Sequence, residues 1–205
     1  MTIATLSPGI AAQLKWDFIS NTQTFGTHLA AAESQAELPG ARFAATLDYR
    51  NLSQDAHRDL MADLVDLMGP AGRVYVPIDA AFPRRGAGGG TPLVNGAAQT
   101  GRTLVIDGAP LSTTAWLKKG DYISVDSGTG RELKLVTANV DTDGSGNATI
   151  SFRPPIRTSP ANNAAVEIDS PSALMRLVDD GQVSLTLKPA RFGDMSVRFI
   201  ESFPT

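Results

Sequence analysis

The most regular apolar pattern in the chain lies at residues 53–68, where Leu60, Leu64 and Leu67 recur at i, i+4 and i+7 beside a parallel stripe of Met61, Val65 and Met68. That spacing predicts one helix with a broad buried face. Ser53 stands where an N-cap can accept from a free N–H of the first turn, and Asp55 puts negative charge at the positive end of the helix dipole. Gly69 can take a left-handed conformation after the last turn, and Pro70 stops the helix. Before the helix, residues 42–49 alternate: Phe43, Ala45, Leu47 and Tyr49 face one way, and Arg42, Ala44, Thr46 and Asp48 the other. This is the pattern of a half-buried strand. After the helix, Val74, Tyr75 and Val76 mark a short strand at 73–77. The order strand–helix–strand resembles a crossover, but the β-rich remainder leaves the relative sense of the two strands open.

From residue 92 onward the apolar runs shorten and turn residues punctuate them. Residues 103–106 end at Asp107-Gly108, and 121–125 lead to Gly128-Thr129-Gly130. Residues 132–140 and 148–152 flank the polar stretch 141–147 as the expected arms of a hairpin. Short strands at this spacing predict a small barrel or sandwich. The tail adds strands at 174–178, 183–187 and 195–203, with turns at 179–181 and 191–194. In the last strand Met195, Val197, Phe199 and Glu201 alternate with Ser196, Arg198, Ile200 and Ser202. The tail has too few large apolar groups to stand alone and needs a sheet supplied from the N-terminal region. The expected fold is therefore mainly β with one helix. Residues 1–83 and 170–205 form a split β-sandwich, and a small β-barrel or sandwich at 92–168 is inserted through a flexible glycine-rich joint at 84–91.

Composition narrows the chemistry. The chain has 205 residues, a net charge of −3, no cysteine and two histidines, His28 and His57. Without cysteine there is no disulfide, thiolate nucleophile or Cys-ligated zinc. No Lys/Arg run exceeds two residues (Arg84-Arg85 and Lys118-Lys119), so the basic stripe of a duplex-binding domain is missing. The N-terminal residues lack the basic start and apolar core of a signal peptide, and no apolar run approaches the roughly 20 residues of a membrane helix.

Few residues suggest a site. Asp141, Asp143, Ser145 and Asn147, spaced around glycines, could offer oxygens to a hard cation such as Ca²⁺. An EF-hand would also need a glutamate near Phe152 and flanking helices, and the same residues suit a plain turn, which is the favoured expectation. Gly86-Ala87-Gly88-Gly89-Gly90 lacks the lysine and hydroxyl of a phosphate-binding loop. Asp59, Asp63 and Asp66 share one helix face and suit its solvated side. His57 has no partner implied, and neither G-x-S-x-G nor H-E-x-x-H occurs. Trp116 and Tyr122, with Trp16 and Phe152, would form a sugar-stacking platform if exposed together, although core packing is the commoner fate of such rings. No catalytic residue, cofactor or resident metal is expected.

One resemblance spans most of the chain from about Trp16. Residues 38–43 (LPGARF), 47–52 (LDYRNL) and 67–73 (LMGPAGR) are followed by 94–101 (VNGAAQTG) and 117–123 (LKKGDYI). Then come 146–150 (GNATI), 153–157 (RPPIR) and the closing 199–203 (FIESF). In order and spacing these resemble the distal tail proteins of long-tailed bacteriophages, with Phe43 standing where that family would have tryptophan. The resemblance implies a β belt domain built from both chain ends and an inserted β domain facing outward. It also implies a homo-oligomeric ring, usually a hexamer, at the virion tail tip, assembled in the host cytoplasm. Such a ring joins the tail tube protein to the tip hub protein, near the tape-measure protein, and leaves a channel through which DNA passes. The competing expectation is a carbohydrate-binding module for host adhesion.

Overall fold

The computed structural model describes residues 5, 13–26, 33–78, 82–184, 186–187 and 193–203. Its first sheet has the order β1 (Gln13–Ile19), β4 (Arg42–Leu52), β14 (Gly193–Glu201), β12 (Ser172–Leu177), β5 (Val74–Pro77), with β13 (Thr186–Leu187) also paired to β14. The last long strand thus lies in the middle, between a strand from the N-terminal region and one from the tail. In β4 the phase seen in the sequence holds: Phe43, Ala45, Leu47 and Tyr49 are buried, and Leu52 joins them. In β14 the buried phase is Met195, Val197, Phe199 and Glu201. Every pairing along the path β4–β14–β12–β5 is antiparallel, so β4 and β5 run in opposite senses and do not form a parallel crossover.

Helix α1 (Gln54–Asp66) connects them. Ser53 caps it, its Oγ accepting from the Ala56 N–H at 3.3 Å. His57, Leu60, Leu64 and Leu67 turn into the core. The broad apolar face expected from the sequence is narrower in the structure. Val65 is 55 % exposed and Met68, itself left-handed at φ 51°, is 77 % exposed, because the sheet covers only one side of the helix. Gly69 is also left-handed, and Gly69–Ala71 forms a 3-10 turn ahead of β5.

The second sheet runs β11 (Val166–Glu167), β8 (Tyr122–Asp126), β9 (Arg131–Val136), β10 (Ala148–Ile156), β7 (Gly101–Asp107), β6 (Leu93–Val94). A bridge between Leu93 and Ala165, with Val94 N–H on the Ala164 carbonyl and Val166 N–H on that of Pro92, nearly closes it into a small barrel. The barrel encloses Val94, Leu104, Ile106, Trp116, Ile123, Val136, Ile150 and Phe152. The expected arms, β9 and β10, are antiparallel neighbours, but a wide loop joins them rather than a tight turn. β10 pairs first with β7, through Ala148–Ser151, and meets β9 only at Phe152 and Arg153. Between them, residues 141–147 pack onto the 109–115 loop instead: Ser112 N–H reaches the Asp143 carbonyl, and Thr142 N–H that of Thr113.

A third, two-stranded sheet pairs β2 (Thr22–Gly26) with β3 (Glu33–Glu37). The strand expected at 183–187 shortens to β13, and the turn expected at 191–194 lies partly outside the described residues.

The glycine-rich segment 84–91 is not the free joint expected from its composition. Asp121, buried at the start of β8, accepts from the Arg85, Gly86 and Lys118 N–H groups at 2.8–3.0 Å. Ala87 and Gly88 N–H donate to the Ala115 and Trp116 carbonyls, and the Trp116 indole N–H returns a bond to the Gly89 carbonyl. Gly88, Gly89 and Gly90 all have positive φ, and a Cβ on Gly90 would sit 2.5 Å from the Gly108 carbonyl oxygen. Glycine here permits a close approach and not slack. Asp121→Ala leaves three N–H groups unpartnered, each costing about 1–3 kcal/mol. We expect a loss of about 3 kcal/mol in urea unfolding and faster tryptic cleavage at Arg84 and Arg85. Unchanged cleavage would show that Asp121 does not hold the strap.

Candidate functional site

The residues singled out from the sequence do not converge. In the 141–147 loop, Asp143 Oδ1 accepts from the Ser145 and Asn147 N–H groups at 2.8 Å, and its Oδ2 from the Asn147 side-chain amide at 2.9 Å. These bonds hold the Asp143 carboxyl below its usual range, the Asn147 amide contributing most. Asp141 points elsewhere and accepts from the Ala115 N–H at 2.6 Å. The Asn147 nitrogen therefore faces the carboxylate where a cation site would need an oxygen, and Asp141 and Asp143 serve different loops. Among the described residues no group of three or more His, Asp or Glu side chains is placed to hold a metal ion.

Trp116 and Tyr122 do not form a sugar platform. Trp116 is fully buried in the barrel, as is Phe152. Tyr122 is half-buried against the other core, its ring 6.0 Å from Phe43 and 5.7 Å from Phe82. β8 alternates between the two cores, with Ile123 and Val125 facing the barrel, so the packing that builds the fold consumes both rings. His57 is buried rather than on the surface. It packs so closely on Gly193 that a Cβ there would lie 2.3 Å from its ring, and its Nε2 has no partner among the described residues.

What the structure does bring together is a set of charged side chains where the two sheets meet. Glu201, 1 % exposed at the end of β14, accepts from Phe43 N–H of β4 at 3.0 Å and from Leu133 N–H of β9 at 3.3 Å. Lys134, also 1 % exposed, donates to Glu132 at 2.7 Å and to the Pro155 carbonyl at 2.9 Å, and lies 5.8 Å from the centre of the Phe152 ring. Glu132 accepts in addition from the Arg157 and Thr158 N–H groups. Arg157 donates to the Ala41 carbonyl and stacks 3.5 Å from the Phe203 ring centre. Burial pushes the Glu201 carboxyl up to about 7, against the pull of the Phe43 and Leu133 N–H groups and of Lys134 and Arg157. Burial lowers the Lys134 ammonium, and Glu132 opposes that shift. Beside this cluster runs a groove of about 650 Å³, lined by the 37–41 turn, Arg102, residues 154–158 and Phe203. A Glu37–Arg102 ion pair joins the two sides.

This cluster was missed from sequence, although the signal was present. Glu201 continues the inward phase of Met195, Val197 and Phe199, and Lys134 sits between Leu133 and Leu135. A charge in a buried phase demands a partner.

A second feature is apolar surface left open on the first sheet's periphery. Phe18 and Ile19 at the end of β1, and Phe25 on β2, are exposed, Phe25 by 53 %. Every described side chain of β2 and β3 is exposed except Ala36. With Val65 and Met68 on the helix, these residues give the surface two uncovered apolar areas.

Removing a cation from a buried pair leaves an uncompensated charge, so Lys134→Met should cost about 3–5 kcal/mol in urea unfolding. The exposed Lys15–Asp17 pair, 3.0 Å apart, should lose under about 1 kcal/mol in Lys15→Met. Equal small losses would mean the Lys134 pair is not buried as described. No helix among the described residues is long and apolar enough to cross a membrane. No known protein family matches this sequence, and no curated protein matches it.

Proposed function

We propose that the chain is a distal tail protein of a long-tailed bacteriophage, a structural ring subunit at the tail tip that carries out no catalysis. In this reading identical copies close a ring, six being the usual number, which joins the tail tube protein to the tip hub protein. The tape-measure protein is a neighbour, and DNA crosses the central channel. The observation that carries the reading is the open apolar surface on β1, β2 and α1. An isolated two-stranded hairpin is marginal in water, and exposed edge strands invite pairing with another chain. The β2–β3 arm is such a hairpin, held to the barrel by the Glu37–Arg102 pair. It makes sense as an arm laid on the next copy, in a head-to-tail contact that closes by rotation.

Two further observations support it. The first sheet combines strands from both chain ends, as the resemblance implies for a belt, with the barrel strands 93–167 between them in sequence. The net charge of −3 also suits a channel that must let phosphates pass rather than hold them. The alternative of glycan binding through Trp116 and Tyr122 has no such support, since neither offers an open ring face.

Ring closure needs interfaces on the order of 1,000 Å² or more. Light scattering after size-exclusion chromatography is expected to give a closed oligomer, alone or on addition of the tail tube protein. Phe25→Asp combined with Met68→Asp should reduce it to folded monomer. A chain that stays monomeric at high concentration and with the tube protein present would sink the proposal.

A further inference from the structure

We propose that the acidic face of helix α1 docks on a basic corner of the next copy, built from Arg85, Lys118 and Lys119. The contact rests on the reading of the chain as a ring subunit and says which surfaces of two copies meet.

The helix carries negative charge that its own fold does not answer. Asp59, Asp63 and Asp66 are exposed on one face, three or four residues apart. Like charges at these spacings repel. Asp66 also stands in the last turn, where the dipole favours a cation, and that turn holds no basic residue. Asp180, exposed in the turn after β12, adds a carboxylate beside Gly69. The nearby cations are committed. Arg58 pairs with Asp55 at 4.0 Å, and Arg73 spends its Nη1 on the Pro70, Ala71 and Gly72 carbonyls. Among the described residues Asp59, Asp63 and Asp66 have no ion pair within 4.0 Å.

The opposite charge collects elsewhere on the surface. The strap at 84–91 lies against the loop before β8 and brings Arg84-Arg85 beside Lys118-Lys119, with Arg85 donating to the Lys119 carbonyl. The carboxylates at this corner are taken. Asp169 pairs with Arg84. Asp121 is buried and accepts from three backbone N–H groups, with the Arg85 guanidinium 3.8 Å away. Lys118 and Lys119 are exposed and, among the described residues, have no ion pair.

Each patch also carries open apolar surface. Val65 and Met68 border the helix face, and Phe82, 48 % exposed, stands two residues before Arg84. Charges at a rim steer and orient an encounter more than they tighten it, so these apolar groups supply affinity. Different elements carry the two patches, and a contact between unlike patches runs head to tail, the kind that closes a ring. The two patches are complementary in sign.

Charge reversal on the full chain tests the pairing, by light scattering under the conditions in which the wild type assembles. One variant combines Asp59→Lys, Asp63→Lys and Asp66→Lys, which makes helix face and corner both positive. The other combines Lys118→Glu and Lys119→Glu, which makes both negative. All five positions are exposed, so both variants should keep the wild-type circular dichroism. Each alone should associate at least about 10-fold more weakly. Mixed in equal amounts they should assemble again, since each helix face then meets a corner of opposite sign. If the lysine variant does not fold, Asp59→Asn, Asp63→Asn and Asp66→Asn take its place. With the helix face neutral, reversing the corner should weaken association no further, and a loss as large as in the wild-type background overturns the contact. A wild-type oligomer that both reversals leave intact, or a mixture that stays dissociated, overturns this contact and leaves the ring reading standing. A wild type that never assembles overturns both.

Discussion

The fold depends on β14 fitting between β4 and β12. Until that strand arrives, β4 lacks its inner neighbour, and the first core lacks Met195, Val197 and Phe199. The β4–β14 pairing joins residues far apart in sequence, such as Leu47 with Val197, so its contacts come only after a long loop has closed, whereas β12 and β14 are near neighbours in the chain. Everything between β5 and β12 must form within that loop. A barrel that closes largely on itself shortens the effective loop and lets the tail find its place, which gives the second sheet a role in assembling the first.

The barrel is more than an appendage, because β8 and β9 serve both cores. Tyr122, Leu133 and Leu135 pack with the first core, while Ile123, Val125 and Val136 pack with the second. Two strands buried on both faces leave little freedom for polar groups. Within the charged cluster, Glu201 meets the Phe43 N–H of β4 with one oxygen and the Leu133 N–H of β9 with the other. A carboxylate with two acceptor oxygens serves both strands, where an apolar side chain would leave both N–H groups unpaired. Glu201 thus has a structural reason to be there before any question of titration arises.

The sequence was most legible where one element decides its own pattern. The helix, its Ser53 cap and the inward phases of β4 and β14 follow from local spacing, and the structure has them. Legibility failed where a distant neighbour decides. The stripe of Val65 and Met68 looks buried by periodicity, but only the sheet's position tells which side of the helix is covered. Residues 84–91 look loose by composition, yet a carboxylate from Asp121 and the indole of Trp116 tie them down. The same holds for β10, which pairs with β7 on one edge and with β9 on the other, so that the polar stretch before it is part of a wide loop packed on residues 109–115. Trp116 and Tyr122 carried an ambiguous signal, since a strand aromatic serves a core or a surface equally well until both faces of the strand are accounted for.

Phe43 connects the open periphery to the buried seam. Its ring lies 5.3 Å from that of Phe18, which is half exposed at the end of β1, and its other neighbour is Tyr122 of β8. Its N–H is one of the two that hold Glu201. Contiguity of this kind is not coupling by itself; that requires an element with two arrangements which both sites bias. The register of β1 on β4 supplies a test of whether such an element exists, because Phe18 stands directly opposite Phe43 in the ladder. A copy that covered Phe18 and tightened β1 on β4 would hold the Phe43 N–H more firmly against the carboxyl of Glu201. A bond to the carboxylate favours the ionised form more than the neutral one. Docking at the periphery would then ease ionisation of Glu201 where it stands, against the burial that resists it.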